Sequence, residues 1–247
     1  MLVQSWYTPY LDGLQVSWTS NTSLTVSPGI CTADAESSAL FGAQLINVGV
    51  DPVLDCTKTG TNGLQGGALA NNTKYNVYAI GDISLPDGGA VYAVADGATI
   101  SLPTGYSLKR RIFTFRTDGS AHILAGYQTG YGVDRTWVYD APISVLSAGT
   151  SATYVTVDLS LSMPEIGRDM MVLIKGSFTP NASGDIATLA QGDSTATAGQ
   201  AVITGFEATK VEIQTVSLPA SADMEIQYKV TASGSLTAYI AGYVDSL

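Results

Sequence analysis

Along much of the chain apolar and polar residues alternate one for one. In segment 154–161, Val155, Val157, Leu159 and Leu161 fall on one side of an extended backbone, and Thr156, Asp158 and Ser160 on the other. Successive strand residues point to opposite faces, so this pattern predicts a strand buried on one side. Met224, Ile226, Tyr228 and Val230 alternate with Glu225, Gln227 and Lys229 in the same way. Val211 and Ile213 against Lys210, Glu212 and Gln214 make a third such strand, and Leu236, Ala238, Ile240 and Gly242 a fourth. Turn chemistry separates them, at Pro86-Asp87-Gly88-Gly89, Asp118-Gly119, Asn181-Ala182-Ser183-Gly184 and Ala232-Ser233-Gly234. No dozen residues carry a 3.6-residue apolar stripe. The expectation is an all-β protein, an antiparallel β-sandwich or jelly roll. Residues 1–25 read as an extended N-terminal arm and first strand, and 26–247 as the sandwich, with a subdivision near residue 141 at Ala141-Pro142. Trp6, Tyr7 and Tyr10 make the arm aromatic, which predicts that it packs on a neighbouring subunit or on its own sandwich.

Composition narrows the function. Of 247 residues 45% are apolar and only 13% charged, about half the usual charged share. Gly, Ser and Thr together supply 77 residues. Eleven Lys and Arg against 21 Asp and Glu give a net charge of −10. A nucleic-acid binder wants a basic face, so no nucleic-acid partner is expected. No apolar run approaches the ~20 residues of a membrane helix, so no membrane insertion is expected. The first residues lack the positive region and continuous apolar core of a signal peptide, and no Lys or Arg precedes Lys58. Cys31 and Cys56 lack metal-type spacing and read as free thiols.

Two segments resemble virion surface proteins of tailed bacteriophages, of the tail, tail-fibre or head-decoration type. One is Gly66-Gly67-Ala68-Leu69-Ala70-Asn71-Asn72-Thr73-Lys74-Tyr75-Asn76-Val77-Tyr78-Ala79-Ile80. The other runs from Leu102-Pro103-Thr104-Gly105-Tyr106 through Lys109-Arg110-Arg111-Ile112 to Arg116-Thr117-Asp118-Gly119-Ser120. The resemblance implies a β-sandwich without enzymatic activity, carried on a phage particle assembled in the bacterial cytoplasm. With the low charge density it points to a homotrimer that contacts other phage structural proteins, displayed on the tail side or attaching to the host. The alternatives are a capsid decoration or cement protein and, further off, a polysaccharide depolymerase.

Candidate chemistry is sparse. In the strand expected over 108–116, Arg110 and Arg116 share a face with Ile112, and Lys109 and Arg111 share the other with Phe113 and Phe115. The expected role of Arg110, Arg111 and Arg116 is pairing with carboxylates to fix strand register or a subunit contact. Pro103 and Gly105 mark a tight turn leading into that strand. His122 is the single histidine, close to Ser120 and Asp118, but a hairpin spacing does not build a catalytic triad. No catalytic, metal or cofactor residues are therefore assigned. Asp51 with Asp55, and Asp134 with Asp140, are carboxylate pairs of the kind that could join a calcium site, though no EF-hand loop accompanies them. Tyr127, Tyr131 and Trp137, set among Gln128, Asp134 and Arg135, have the composition of a glycan-binding loop for a host surface sugar. Aromatic packing between subunits is the alternative use. A depolymerase needs two carboxylates about 5–10 Å apart, and the sequence nominates no pair.

Overall fold

A computed structural model describes residues 10–34, 44–164, 171–192, 201–231 and 234–247. Every regular element among them is a strand and the sheets are overwhelmingly antiparallel, so the protein is all-β, of the β-sandwich class. The chain forms two compact units, one of residues 1–136 with 245–247 and one of residues 137–244. Trp6 and Tyr7 of the expected arm lie outside the described residues.

The first unit contains three groups of strands. β1 (Leu11–Gly13), β4 (Gly29–Thr32) and β5 (Leu45–Val48) pair in that order. β11 (Gly126–Tyr131), β2 (Val16–Ser20), β3 (Ser23–Val26) and β6 (Val53–Asp55) form a second row. The third is β10 (Leu108–Arg116), β8 (Lys74–Asp82), β9 (Leu85–Ala95) and the short parallel β7 (Gly63–Leu64). In β8, alternation buries Tyr75, Val77 and Ala79 and leaves Lys74, Asn76 and Tyr78 half-buried. Tyr75 stacks on Phe115 at 5.2 Å between centroids, and Phe113 and Phe115 are 6.3 Å apart. Burying a ring of this kind contributes roughly 1.5–3 kcal/mol. The opposite face of β8 and β9 carries Ile80, Ala90, Tyr92 and Val94, and the 96–107 loop lays Ile100, Leu102 and Tyr106 over them. Its turn closes with the Tyr106 N–H donating to Pro103 O at 3.2 Å, and Gly105 takes φ +92°, open to glycine at little cost.

Two expectations need correction in this unit. Pro86-Asp87-Gly88-Gly89 is strand, not turn. The β8–β9 reversal falls earlier, at Ile83 and Ser84, where the Asp82 carboxylate accepts from the Ser84 N–H and hydroxyl. Gly89 serves a close approach instead: a Cβ there would lie 2.3 Å from Asn47 O of β5. The second correction concerns β10. Arg111 pairs with Tyr78 and Phe113 with Val77, so Ile112 is an extra, bulged residue. The bulge reverses the side-chain alternation. Arg110, opposite Ala79, therefore shares a face with Phe113 and Phe115, while Lys109 and Arg111 share theirs with Thr114 and Arg116.

In the second unit the sheet order is β17 (Glu212–Pro219), β14 (Met171–Thr179), β19 (Ser235–Ser246) and β12 (Asp134–Gly149). The other sheet runs β13 (Val155–Asp158), β18 (Glu225–Val230), β15 (Ile186–Gln191) and β16 (Ala201–Thr204). The inner residues are those the alternation marks in β18 and β19: Met224, Ile226, Tyr228, Val230, Leu236, Ala238 and Ile240 are all buried. The layers meet closely, since a Cβ on Gly176 of β14 would lie 2.4 Å from Ile203 Cδ1 of β16. Elsewhere the alternation overstates burial. Val155 is exposed, and Leu161 sits in a turn beyond the end of β13, also exposed. Val211 and Ile213, expected on a buried face, are 51% and 63% exposed.

Candidate functional site

Two basic residues of β10, Arg110 and Arg111, are paired with carboxylates inside the first unit. Arg111 Nη1 donates to Asp245 Oδ1 at 2.8 Å and to Thr114 Oγ1 at 2.7 Å. Thr114 donates to Asn76 Oδ1 at 3.0 Å, and Asn76 donates in turn to Asp96, which also pairs with Lys74 at 3.1 Å. Arg110 Nη1 lies 3.4 Å from Asp34 Oδ1, and Arg116 stands opposite Lys74. Burial pushes the Asp245 carboxyl above its ordinary range, with Arg111 pulling the other way. Asp34 is raised for the same reason and opposed by Arg110.

The outer edge of β10 is closed as well. Lys109 O accepts from the Asp34 N–H at 2.8 Å, Ile112 O from Gln128 Nε2 at 3.4 Å, and Arg116 O from the Leu124 N–H at 3.4 Å. The Thr114 N–H donates to the Asp245 carboxylate. Strand β10 is thus an edge strand with a bulge, four cations and its backbone acceptors occupied.

The hairpin at Asp118 does folding work. Asp118 Oδ1 accepts from the N–H groups of Ser120 at 2.7 Å and His122 at 2.9 Å, fixing the turn. His122 Nδ1 is 3.7 Å from Asp118 Oδ2, and both side chains are largely exposed. The Asp118 carboxylate is committed to the backbone, so nothing orients His122 toward Ser120 as a base. Among the described residues no three His, Cys, Asp or Glu side chains are grouped to hold a metal ion. Asp55, weighed for calcium, is held by Thr57 and Lys58, which lower its pKa to about 2. Cys31 and Cys56 are free and buried, and desolvation raises both thiols to about 12.

The aromatic loop separates into two kinds of residue. Tyr131 is 91% exposed and Tyr127 45%, and both stay available for contact. Trp137 is 1% exposed, so its side chain is not available to a sugar or to a neighbouring subunit. Two polar residues assigned to the same loop also point inward. Gln128 accepts from the Val16 N–H at 3.0 Å. Arg135, almost wholly buried, donates to Gly13 O at 2.6 Å, Leu14 O at 2.7 Å and Gly132 O at 2.9 Å. A buried guanidinium tying three carbonyls is a clamp on the 13–15 and 132–135 segments. Tyr10, of the expected arm contacts, is exposed beside Asp12.

What sequence reasoning missed lies in the second unit. Among the described residues β16 and β17 each end their sheet, and between them Val202, Ile203, Thr204, Phe206, Glu212, Ile213 and Gln214 line a depression of about 370 Å³. Phe206 is 77% exposed there. On the other side of Ile213 a groove of about 260 Å³ crosses the outer sheet face, lined by Pro142, Lys175, Ser177 and Tyr239. Within the described residues the side chains of Glu212, Gln214, Lys175, Ser177 and Tyr239 make no hydrogen bond or ion pair. The signal for this surface is in the alternation of Val211 and Ile213, which shows that they share a face but not what covers it. Comparison with known proteins returns no matching family model and no matching curated protein.

Proposed function

We propose that the chain is a non-enzymatic structural protein of a tailed-phage particle, joined to its neighbours through strand surfaces. The observation that carries this reading is the set of exposed apolar side chains Val202, Phe206, Val211 and Ile213 on β16, β17 and the segment that joins them, two strands that end their sheets among the described residues. Contiguous exposed apolar surface of this kind marks a site of contact with another macromolecule.

The segments that resemble phage proteins are spent on building the fold. Tyr75 and Val77 fill a core, Leu102 and Tyr106 cover another, Thr117 ties down the segment at Ala70, and Asp118 holds a hairpin. These residues build strands and turns and leave no convergent reactive groups among themselves. Tyr127 and Tyr131 remain as a surface for a host glycan, reduced from the original trio.

The test is mass spectrometry of purified particles, followed by antibody labelling in the electron microscope. The expected result is many copies per particle, on the tail for a display role or on the head for a decoration role. Absence from particles overturns the reading. Release of reducing sugars from host polysaccharide by the purified protein overturns its non-enzymatic part.

A further inference from the structure

The geometry points to a specific use of the open edge: β17 pairs with β17 of a second copy, antiparallel, about a two-fold axis at Ile213. This rests on the assembly reading above and names the surface and the partner.

The occupant must supply extended backbone. Among the described residues β17 has a strand partner on one side only, β14, and its register there runs without a shift. Among the described residues the backbone of 212–218 makes no further hydrogen bond outside that pairing. Alternate N–H and C=O groups along the free side are therefore left to water or to an added strand. Edge strands are ordinarily guarded by Lys, Pro, a bulge or a covering segment. In β17 there is no Lys or Arg, no bulge, and Pro219 stands only at the last position.

A second copy fits because the strand is complementary to itself. An antiparallel pair centred on Ile213 sets Ile213 against the partner's Ile213. It places Glu212 opposite the partner's Gln214, and Gln214 opposite the partner's Glu212. Val211 meets the partner's Thr215 and Lys210 the partner's Val216, so the pair joins the first half of β17 to the residues just before it. A carboxylate facing an amide is an acceptor facing a donor, made twice by symmetry, and no like charges meet. Among the described residues neither of those side chains has a hydrogen-bond or ion-pair partner. Such pairing is isologous, the commonest symmetry of homo-oligomers. It links chains in pairs, which distinguishes it from the trimer that the sequence led us to expect.

The experiment uses the full chain. Ile213→Cys places two thiols across the axis, where directly opposed strand residues have Cβ atoms about 4.5–5.5 Å apart, close enough for a disulfide after small adjustment. Thr215→Cys places its two thiols roughly 14 Å apart along the strands. Mild oxidation should give a disulfide-linked dimer from the first variant and none from the second; the buried Cys31 and Cys56 serve as internal controls. Sedimentation should show wild-type dimers and Ile213→Lys monomers with an unchanged circular dichroism spectrum. Wild-type monomer at high protein concentration, a trimer, or a dimer that survives Ile213→Lys overturns the inference. Cross-linking through residue 215 and not 213 overturns it equally. A monomer that is nonetheless found in particles removes only this inference; a β17 dimer absent from particles removes only the phage reading.

Discussion

Strands β10 and β17 stand at the ends of their sheets, and they treat that position in opposite ways. β10 carries Lys109, Arg110, Arg111 and Arg116, is bulged at Ile112, and has its outward carbonyls at 109, 112 and 116 occupied by other parts of its unit. β17 carries no cation and no bulge, and presents Ile213 and free side-chain amide and carboxylate groups instead. Charge at an edge is thus not a sign of a binding surface here. The basic strand is the sealed one: Arg111 meets Asp245 and Thr114, Arg110 meets Asp34, and the outer carbonyls are occupied within the same unit. The nearly neutral strand is the one left open. The number of charged residues therefore does not tell which of the two edges is occupied; the hydrogen bonds do.

The strongest way to break the comparison is at Arg111. Arg111→Met leaves Asp245, whose side chain is 1% exposed, without its ion-pair partner. Removing one member of a buried pair costs about 3–5 kcal/mol, so the thermal midpoint should fall by on the order of ten degrees. An unchanged midpoint would mean that β10 is not held by this pair. Asp118→Ala, which removes the acceptor of two hairpin N–H groups, should cost about 1 kcal/mol by urea unfolding. On β17 the expectation inverts. Thr215→Lys adds a guarding cation to an exposed position, so stability should stay within about 0.5 kcal/mol while self-association in sedimentation is lost. A loss of stability comparable to that of Arg111→Met would show that the edge is already covered.

The pH dependence sharpens the same contrast, since the raised carboxyls lie in the sealed unit. Asp245 binds its proton more tightly folded than unfolded, from the ordinary value of 3.8 up to its raised one. Across that window the unfolded chain binds fewer protons, so stability falls as pH rises. Asp34 acts with the same sign, and Asp55, lowered to about 2, acts oppositely as pH falls below 3.8. Asp245→Asn should flatten the decline above pH 3.8 in urea unfolding; an unaltered slope would remove Asp245 as its source. The smallest effect is chemical. With both thiols raised to about 12 and buried, Cys31 and Cys56 should resist alkylation at neutral pH until the protein is unfolded, and rapid labelling of the native protein would contradict their burial.

Much of the fold was legible because strand alternation is a local property. Met224 to Val230 and Leu236 to Ile240 bury the residues that the period of two assigns. The faces of β10 were misread because nothing in Arg110-Arg111-Ile112 marks Ile112 as an inserted residue; the insertion is a property of its pairing with β8. Ile213 was misread for a related reason, since alternation tells which residues share a face and is silent about whether another layer lies over it. Trp137 was misassigned because an aromatic in a glycine-rich stretch looks the same whether its strand turns it inward or outward. Gln128 and Arg135 belong to the same group, polar by type and inward by register.

Amide hydrogen exchange at low and high protein concentration tests the difference between the two edges most directly. Expected is rapid exchange of alternate β17 amides in dilute solution, slowing as concentration rises, while the amides of β10 keep one protection level throughout. Slow exchange of every β17 amide in dilute monomer, or rapid exchange that concentration leaves untouched, would contradict an open edge that a second copy fills.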